Sequence, residues 1–414
     1  MNILFIHQNF PGQFKHLSVA LARAGHHVLA LTLRVKEPTN WNGVHILPYA
    51  IQRKVDQRTH PWLTDLDSKV TRAEACYTAA MRLRGTGYQP DIIIAHPGWG
   101  ESMFLRDVWP KARIGIYCEL YHHPGYPHVG FDPEFSRGDS PSEVLRIRMK
   151  NLNNHLHFDI AQAGLSPTNF QADTFPAEFR DKISVIHDGI DTDAIQRNQW
   201  ASYTVPTGAT LTRKDEVITF VNRNLEPYRG YHIFMRALPE LLKARPNARV
   251  LIVGGDGVSY GARAPEGKTW KDIFIGEVRG RIPDDDWARV HFLGRIPYDK
   301  FVSLLQVSRV HVYLTYPFVL SWSLFEAMSA EAAVVASGTA PVREAIVDNE
   351  TGRLIDFFNG GELVAEVDRM LDSAEARNRL GAAARAHIRE TYDLKRICLP
   401  QQMEWVQSLA DMTV

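Results

Sequence analysis

Short apolar runs alternate along the chain with stretches in which apolar residues recur every three to four positions. Ile3 to Ile6, Val28 to Leu31, Ile92 to Ala95 and Ile114 to Cys118 are too short for helices and apolar on both faces, so each is predicted to be a strand covered on both sides. Phe14 to Ala24 carries the helical period and is predicted to be a helix. After residue 210 the pattern restarts. Val217 to Val221, Val250 to Val253, Val290 to Leu293, Val310 to Leu314 and Ala333 to Ala336 are predicted strands, with a helix over Tyr231 to Ala244. Strands of this kind alternating with helices imply an α/β chain built on two doubly wound parallel sheets. The predicted division is a first domain at 1–195, a linker at 196–215 inside a polar stretch without strand or helix period, a second domain at 216–390, and a helix within 391–414. That last segment has an apolar face (Ile397, Met403, Val406, Leu409) that can pack on either domain.

A chain of 414 residues exceeds the size at which one core stops growing, which agrees with two domains and a cleft between them. Lysine plus arginine equals aspartate plus glutamate, 47 against 47, so no overall field draws in nucleic acid or an anionic membrane. Met1 to His7 lacks the basic start of a signal peptide, and no apolar run approaches a membrane span. The three cysteines are outside any CxxC pattern. The expectation is a cytoplasmic protein, peripheral at most at the inner face of a membrane; the basic helix from Lys69 to Arg84 reads as a solvated face.

Candidate chemistry gathers just past the predicted strands, at the edge where open parallel sheets bind ligands. Arg223 follows Phe220-Val221-Asn222, and Arg229-Gly230 opens the next helix, so two guanidinium groups and a helix amino terminus suit an anion. The competing reading pairs these arginines with Glu226. Glu326 suits a ribose diol, but Ser323-x-x-Glu326 is also a capping box. Gly255 and Gly257, in Gly254-Gly255-Asp256-Gly257, resemble a loose dinucleotide fingerprint and are read as letting the chain approach a base or ribose. In the first half, Gly12 lies between strand and helix, and His96 and Glu119 each end a strand. Asp191-Thr192-Asp193, Asp284 to Asp286 and the group His122, His123, His128 are set aside as metal sites for want of ligand spacing.

Placed in order, these landmarks resemble the retaining glycosyltransferases of family 4, which have the two-domain GT-B fold. Asn2 to Ile6 with Gly12, Pro90-Asp91-Ile92 to His96, and Asp188-Gly189-Ile190-Asp191 are similar to that family's first-half motifs. Asn222-Arg223 with Arg229-Gly230, Val290-His291-Phe292-Leu293-Gly294 and Leu324 to Ser329 are similar to those of its second half. The resemblance implies that Arg223 and Arg229 hold a donor diphosphate, Glu326 its ribose, and Gly294-Arg295-Ile296 its base. Ser321 and Ser323 would add contacts to phosphate or sugar, and the Gly12 loop and the Phe131 segment would hold the acceptor. Phe318 stands where the family's motif places a glutamate that contacts the donor sugar.

The implied activity is metal-independent transfer of a sugar, with retention, from a UDP- or GDP-linked donor to a saccharide, lipid-linked or small-molecule hydroxyl, with no further cofactor. The alternative is a sugar-nucleotide-binding or scaffold protein that performs no transfer. A nicotinamide-dependent oxidoreductase is disfavoured because the first half has only Gly12 where a G-x-G-x-x-G should sit.

Overall fold

The computed structural model describes residues 1–53, 59–124, 129–136 and 141–413, and the chain divides into two compact units. His128 lies outside the described residues. The first unit holds 1–129, 137–189 and 394–414; the second holds 130–136 and 190–393. Against the predicted division, 130–136 and 190–195 fall in the second unit, and the carboxyl-terminal helix, left open between the two domains, falls in the first.

The first unit is built on strands β1 (Asn2–Ile6), β2 (His27–Thr32), β3 (Thr39–Trp41), β4 (Val44–Pro48), β5 (Ile92–Ala95), β6 (Arg113–Tyr117), β7 (Ala163–Ser166) and β8 (Ile183–Val185). They lie in the order β3-β4-β2-β1-β5-β6-β7-β8, parallel throughout except for the β3–β4 pair. Alternate residues of β1 feed opposite cores. Leu4 and Ile6 join Trp109 and Phe158 on one face, while Ile3 and Phe5 join Phe14, Leu17 and Leu21 on the other. The helix Leu399–Asp411 closes the second of these faces through Trp405, Val406 and Leu409, lying so near β6 that a Cβ at Gly115 would meet Trp405 at 2.5 Å.

In the second unit the stretch read as a structureless linker forms a hairpin. Its strands β9 (Ser202–Thr204) and β10 (Thr210–Thr212) pair antiparallel and bury Tyr203, Val205 and Leu211 in the core. The main sheet runs β13-β12-β11-β14-β15-β16, all parallel, from β11 (Val217–Asn224), β12 (Arg249–Gly255), β13 (Val290–Gly294), β14 (Val310–Tyr313), β15 (Ala333–Ser337) and β16 (Arg353–Ile355). The buried hydroxyl of Thr219 in β11 bonds Ser308 at 2.8 Å and His311 at 2.9 Å, so burial leaves it satisfied.

Each sheet reverses its winding once: between β1 and β5 in the first unit and between β11 and β14 in the second. At such a point the chain leaves in opposite directions from adjacent strand ends and leaves room for a ligand at the carboxyl edge.

The segment 130–136 is fixed to the second unit by four side chains. Asp132, 3% exposed, accepts a hydrogen bond from the Tyr316 hydroxyl at 2.7 Å and lies 2.9 Å from His232 Nε2. Glu134 takes two bonds from Arg236, which also binds Glu277. Phe131 packs on Tyr316, Phe357 and Phe358, and Phe135 on His232, Trp270 and Phe274. Asp132, Glu134 and His232 are close enough together to hold a cation, but both carboxylates already accept bonds from protein donors, so the group serves as an anchor. Asp132→Ala leaves the Tyr316 hydroxyl and His232 buried without an acceptor and should lower the unfolding free energy by about 2 to 4 kcal/mol, read from urea denaturation.

Candidate functional site

At the second unit's reversal point, β11 runs out through Arg223 and Asn224 into a short turn, Pro227–Arg229, before the helix Tyr231–Ala244. Arg229 is only 4% exposed, and its Nη1 donates to Thr315 Oγ1 at 2.8 Å and to the Val319 carbonyl at 2.9 Å. It therefore ties the end of β11 to the segment leaving β14. Its guanidinium also lies over the ring of Tyr260 at 4.9 Å and of Phe318 at 5.9 Å. Phe318, 8% exposed, touches Tyr228 and Tyr260 as well, so an aromatic wall occupies the position where the resemblance places a carboxylate. Arg223 is exposed and makes no hydrogen bond or ion pair among the described residues.

Glu226 does not pair with either arginine. It is fully buried, and its carboxylate accepts the backbone N–H groups of Ser259, Tyr260 and Gly261 at 3.0 to 3.2 Å. This charge-assisted set fixes the loop after β12 and with it the Tyr260 ring over Arg229.

The same loop is held from its other side by Asn224, whose Nδ2 donates to Ser259 Oγ at 2.7 Å while its Oδ1 accepts from Arg295 at 3.1 Å. A Cβ at Gly255 would lie 2.7 Å from both Asn224 Oδ1 and Arg295 Nε. Glycine at 255 thus makes room for these side chains. Gly257 stands beside the same Asn224 oxygen, 3.3 Å from where its own Cβ would be. Gly294 ends β13 in the left-handed region (φ 63°) and turns the chain so that Arg295 is exposed and Ile296 packs against the core.

Glu326 sits on the helix Trp322–Ser329, buried, and accepts the Tyr298 hydroxyl at 2.7 Å. The capping box does not form. The helix begins two residues earlier than that motif requires, with Ser321 as its cap, accepting from Ser323 N at 3.3 Å and from Ser323 Oγ at 3.0 Å. The Ser321 amide in turn donates to Tyr313 Oη at 2.8 Å. Tyr298, Tyr260 and the anchoring role of Glu226 were missed in the sequence because no local spacing links them to their partners.

In the first unit the reversal point brings together His7, which follows β1, and His96, which follows β5, with ring centroids 5.2 Å apart. His7 Nδ1 accepts from Asn9 N and its Nε2 meets Gln13 Oε1, both at 2.9 Å. Gly12 (φ 48°) crosses directly over that ring, where a Cβ would come within 2.3 Å of Nε2. His96 is fully buried between Tyr117 and Trp99. Its Nδ1 accepts from Gly98 N at 3.2 Å, and Nε2 lies 3.8 Å from the Glu119 carboxylate. Burial holds both histidines neutral, pulling His7 down to about 4 and His96 well below its ordinary value.

The acidic patterns set aside earlier serve local structure. Asp191 Oδ1 accepts from the amides of Asp193 and Ala194, and Asp284 and Asp286 pair with Arg279 and Arg289. His122 is held to the helix Pro141–Ile160 through Asn151.

Residues 24–195 match the Glycosyl transferase family 4 group and residues 208–387 the Glycosyl transferases group 1. The chain belongs to the family 4 group of glycosyl transferases. Among relatives of this family 4 chain, D-inositol 3-phosphate glycosyltransferase of Corynebacterium efficiens is 28% identical over 50% of the chain and 47% of its own length. The same-named protein of Segniliparus rotundus is 25% identical over 71% of the chain and 64% of its own length. The family 4 chain thus spans about half to two thirds of the length of these relatives. Glycogen synthase of Mycobacterium tuberculosis is 24% identical over 92% of the chain and 87% of its length. The fold is GT-B. Sucrose-phosphate synthase of Thermosynechococcus elongatus superposes with a TM-score of 0.76 at 16% identity over all of both chains, and Anabaena HepE, solved with UDP and glucose, with 0.65 at 16% identity over 99% of each.

Glu226→Ala strands three loop amides, and amide exchange at Ser259, Tyr260 and Gly261 should accelerate by about two orders of magnitude, the equivalent of about 3 kcal/mol. Acid should weaken the first unit. His7 and His157 are each held near 4 by burial, so between pH 6.5 and 4 the unfolded chain takes up protons that the folded one does not. Stability is then full above pH 6.5 and falls by about 1.4 kcal/mol per pH unit for each such histidine, measured by urea denaturation from pH 7 to 5.

Proposed function

We propose that this protein transfers a hexose from a nucleotide-diphosphate sugar to an acceptor hydroxyl, with retention at the anomeric carbon and without a metal ion. The observation that carries the reading is an exposed Arg223, unpartnered among the described residues, and a buried Arg229 bonded to Thr315 and the Val319 carbonyl, both at the point where the second sheet reverses. Loss of a diphosphate leaving group builds negative charge, and fixed cations stabilise that charge without rearranging. Arg223 is the group that meets the phosphates; Arg229 adds its field through an already satisfied network. Glu326, oriented by Tyr298, accepts the ribose hydroxyls, and the turn Gly294-Arg295-Ile296 faces the base. Uridine is the favoured base, since HepE was solved with UDP and a trehalose-6-phosphate enzyme of E. coli with UDP-2-fluoro glucose.

Retention follows from the proton's destination. In this reading Glu226 is held by the loop amides and Glu326 is given to Tyr298 and the ribose, so the oxygen of the departing phosphate takes the acceptor's proton on the same face.

Phe318 favours a second reading, donor binding without transfer, because the sugar would face aromatic rings at that position. Released nucleotide, followed with a panel of UDP- and GDP-sugars and acceptors, separates the two. In that assay Arg223→Ala should lower kcat/KM by about 10² to 10³, equivalent to about 3 to 4 kcal/mol. Arg229→Lys keeps the charge, loses the planar guanidinium whose Nη1 bonds both Thr315 and the Val319 carbonyl, and should cost at least about tenfold. Losses below about threefold at both positions would remove the phosphate role.

A further inference from the structure

The notch around Arg229 is walled by rings that the arginines alone do not explain. Tyr260 lies 4.9 Å and Phe318 5.9 Å from the guanidinium, and the two rings are 5.0 Å from each other. Tyr228 meets Phe318 edge-on at 5.1 Å, with an interplanar angle of 86°, and lies 4.6 Å from Tyr316. The four rings come from three separate segments: the turn after β11, the loop after β12 and the stretch leaving β14. They meet at the strand ends where the second sheet reverses.

The wall is built before any ligand arrives. The Tyr316 amide donates to the Tyr228 carbonyl at 3.1 Å and its hydroxyl donates to Asp132 at 2.7 Å, which holds these two rings together. Tyr260 is fixed through its own backbone, which donates to Glu226 at 3.2 Å. Its ring is 38% exposed, so it is the open face of the wall, with Phe318 behind it at 8%.

A wall of this kind selects by what it cannot bond. Phe318 has neither donor nor acceptor, Arg229 Nη1 is engaged by Thr315 and the Val319 carbonyl, and the Glu226 carboxylate is engaged by three amides. A hydroxyl turned toward the Phe318 ring loses water and finds no partner on it, whereas a methyl or methylene group there gains burial. The sugar of a nucleotide-diphosphate donor is joined directly to the outer phosphate. With that phosphate at Arg223 and in the field of Arg229, the sugar falls in the next layer out, which these rings line.

We propose that Phe318 and Tyr260 select the donor's sugar, and that it presents a methyl or methylene group where glucose presents a hydroxyl. This rests on the donor site of the reading above and not on whether transfer follows binding. Two sources supply such a group, the C6 methyl of a 6-deoxyhexose and the acetamido methyl of an N-acetylhexosamine. The contact that recognises them is the same, and the sugars tested tell them apart.

The test is calorimetric titration of the full chain with UDP and GDP, then with the glucose, 6-deoxyglucose and N-acetylglucosamine forms of whichever diphosphate binds. The 6-deoxy or the N-acetyl form should bind about ten- to a hundredfold more tightly than the glucose form, and the one that does identifies the source. Tyr260→Ala opens the wall to water, and Phe318→Gln gives a hydroxyl a partner; in each the ratio should fall to about threefold or less. Damage to the fold or to the phosphate site weakens all three sugar forms alike and leaves the ratio where it was, so the ratio reads the wall. Equal affinity for the three forms, tightest binding of the glucose form, or a ratio untouched by both variants overturns the inference while the bound diphosphate keeps the donor site standing. Binding of neither diphosphate overturns the donor site itself, and the inference with it.

Discussion

A buried guanidinium must have its donors satisfied, and the second unit meets that demand by tying two strand ends together. Arg229 sits where β11 and β14 diverge, and its bonds to Thr315 and the Val319 carbonyl convert a gap in the sheet's winding into a rigid notch. Removing those acceptors would strand a charge in a site where desolvation costs several kcal/mol. The neighbouring parts follow from this one residue. Phe318 and Tyr260 are placed by stacking on its face, and Ser321 caps the next helix from a segment whose path is already fixed by Val319. The arginine nearest to being a ligand contact is for the same reason the other one, Arg223, which has no such duties.

Loop order is obtained in the same way from an anion. The Glu226 carboxylate has no exposure and takes three consecutive amides, so the loop after β12 is held before any ligand arrives. A binding loop that is already ordered loses little conformational entropy on association, which raises affinity without adding a contact. The segment 130–136 repeats the device with Asp132, whose acceptors are filled by Tyr316 and the amide of Glu134. In both cases the carboxylate is structural because backbone or phenolic donors reach it.

How much of this is visible in the sequence depends on the range of the interaction. Central strands are legible because both their faces are apolar, and β5 and the helix Tyr231–Ala244 have the bounds read from the pattern. Edge strands are not: β3 and β8 are three residues long with at most one buried side chain, and the hairpin β9–β10 buries alternate residues in a stretch otherwise rich in threonine and glycine. Arg223 and Arg229 were recognisable from strand-end position, yet the sequence offers Glu226 as their partner because it is close in number. An extended Glu226 (φ −138°, ψ 157°) points its carboxylate away toward residues 259–261. The Glu326 capping motif misleads for a similar reason, since Ser321 starts the helix ahead of Ser323. Long-range partners such as Tyr298 and Tyr316 carry no local signal at all.

The protonation of His96 bears on which group can act as a base. Its Nδ1 is occupied by the Gly98 amide, so in the neutral ring the proton resides on Nε2, the nitrogen that faces Glu119. That nitrogen is then a donor. For it to accept a proton from an acceptor hydroxyl, the ring would have to become an imidazolium in a fully buried aromatic setting between Tyr117 and Trp99, with His7 5.2 Å away, which burial and the neighbouring imidazole both oppose. His96 therefore suits hydrogen bonding to an oxygen and not proton abstraction. Glu119 is partly exposed, and its carboxylate lies 3.8 Å from that donor.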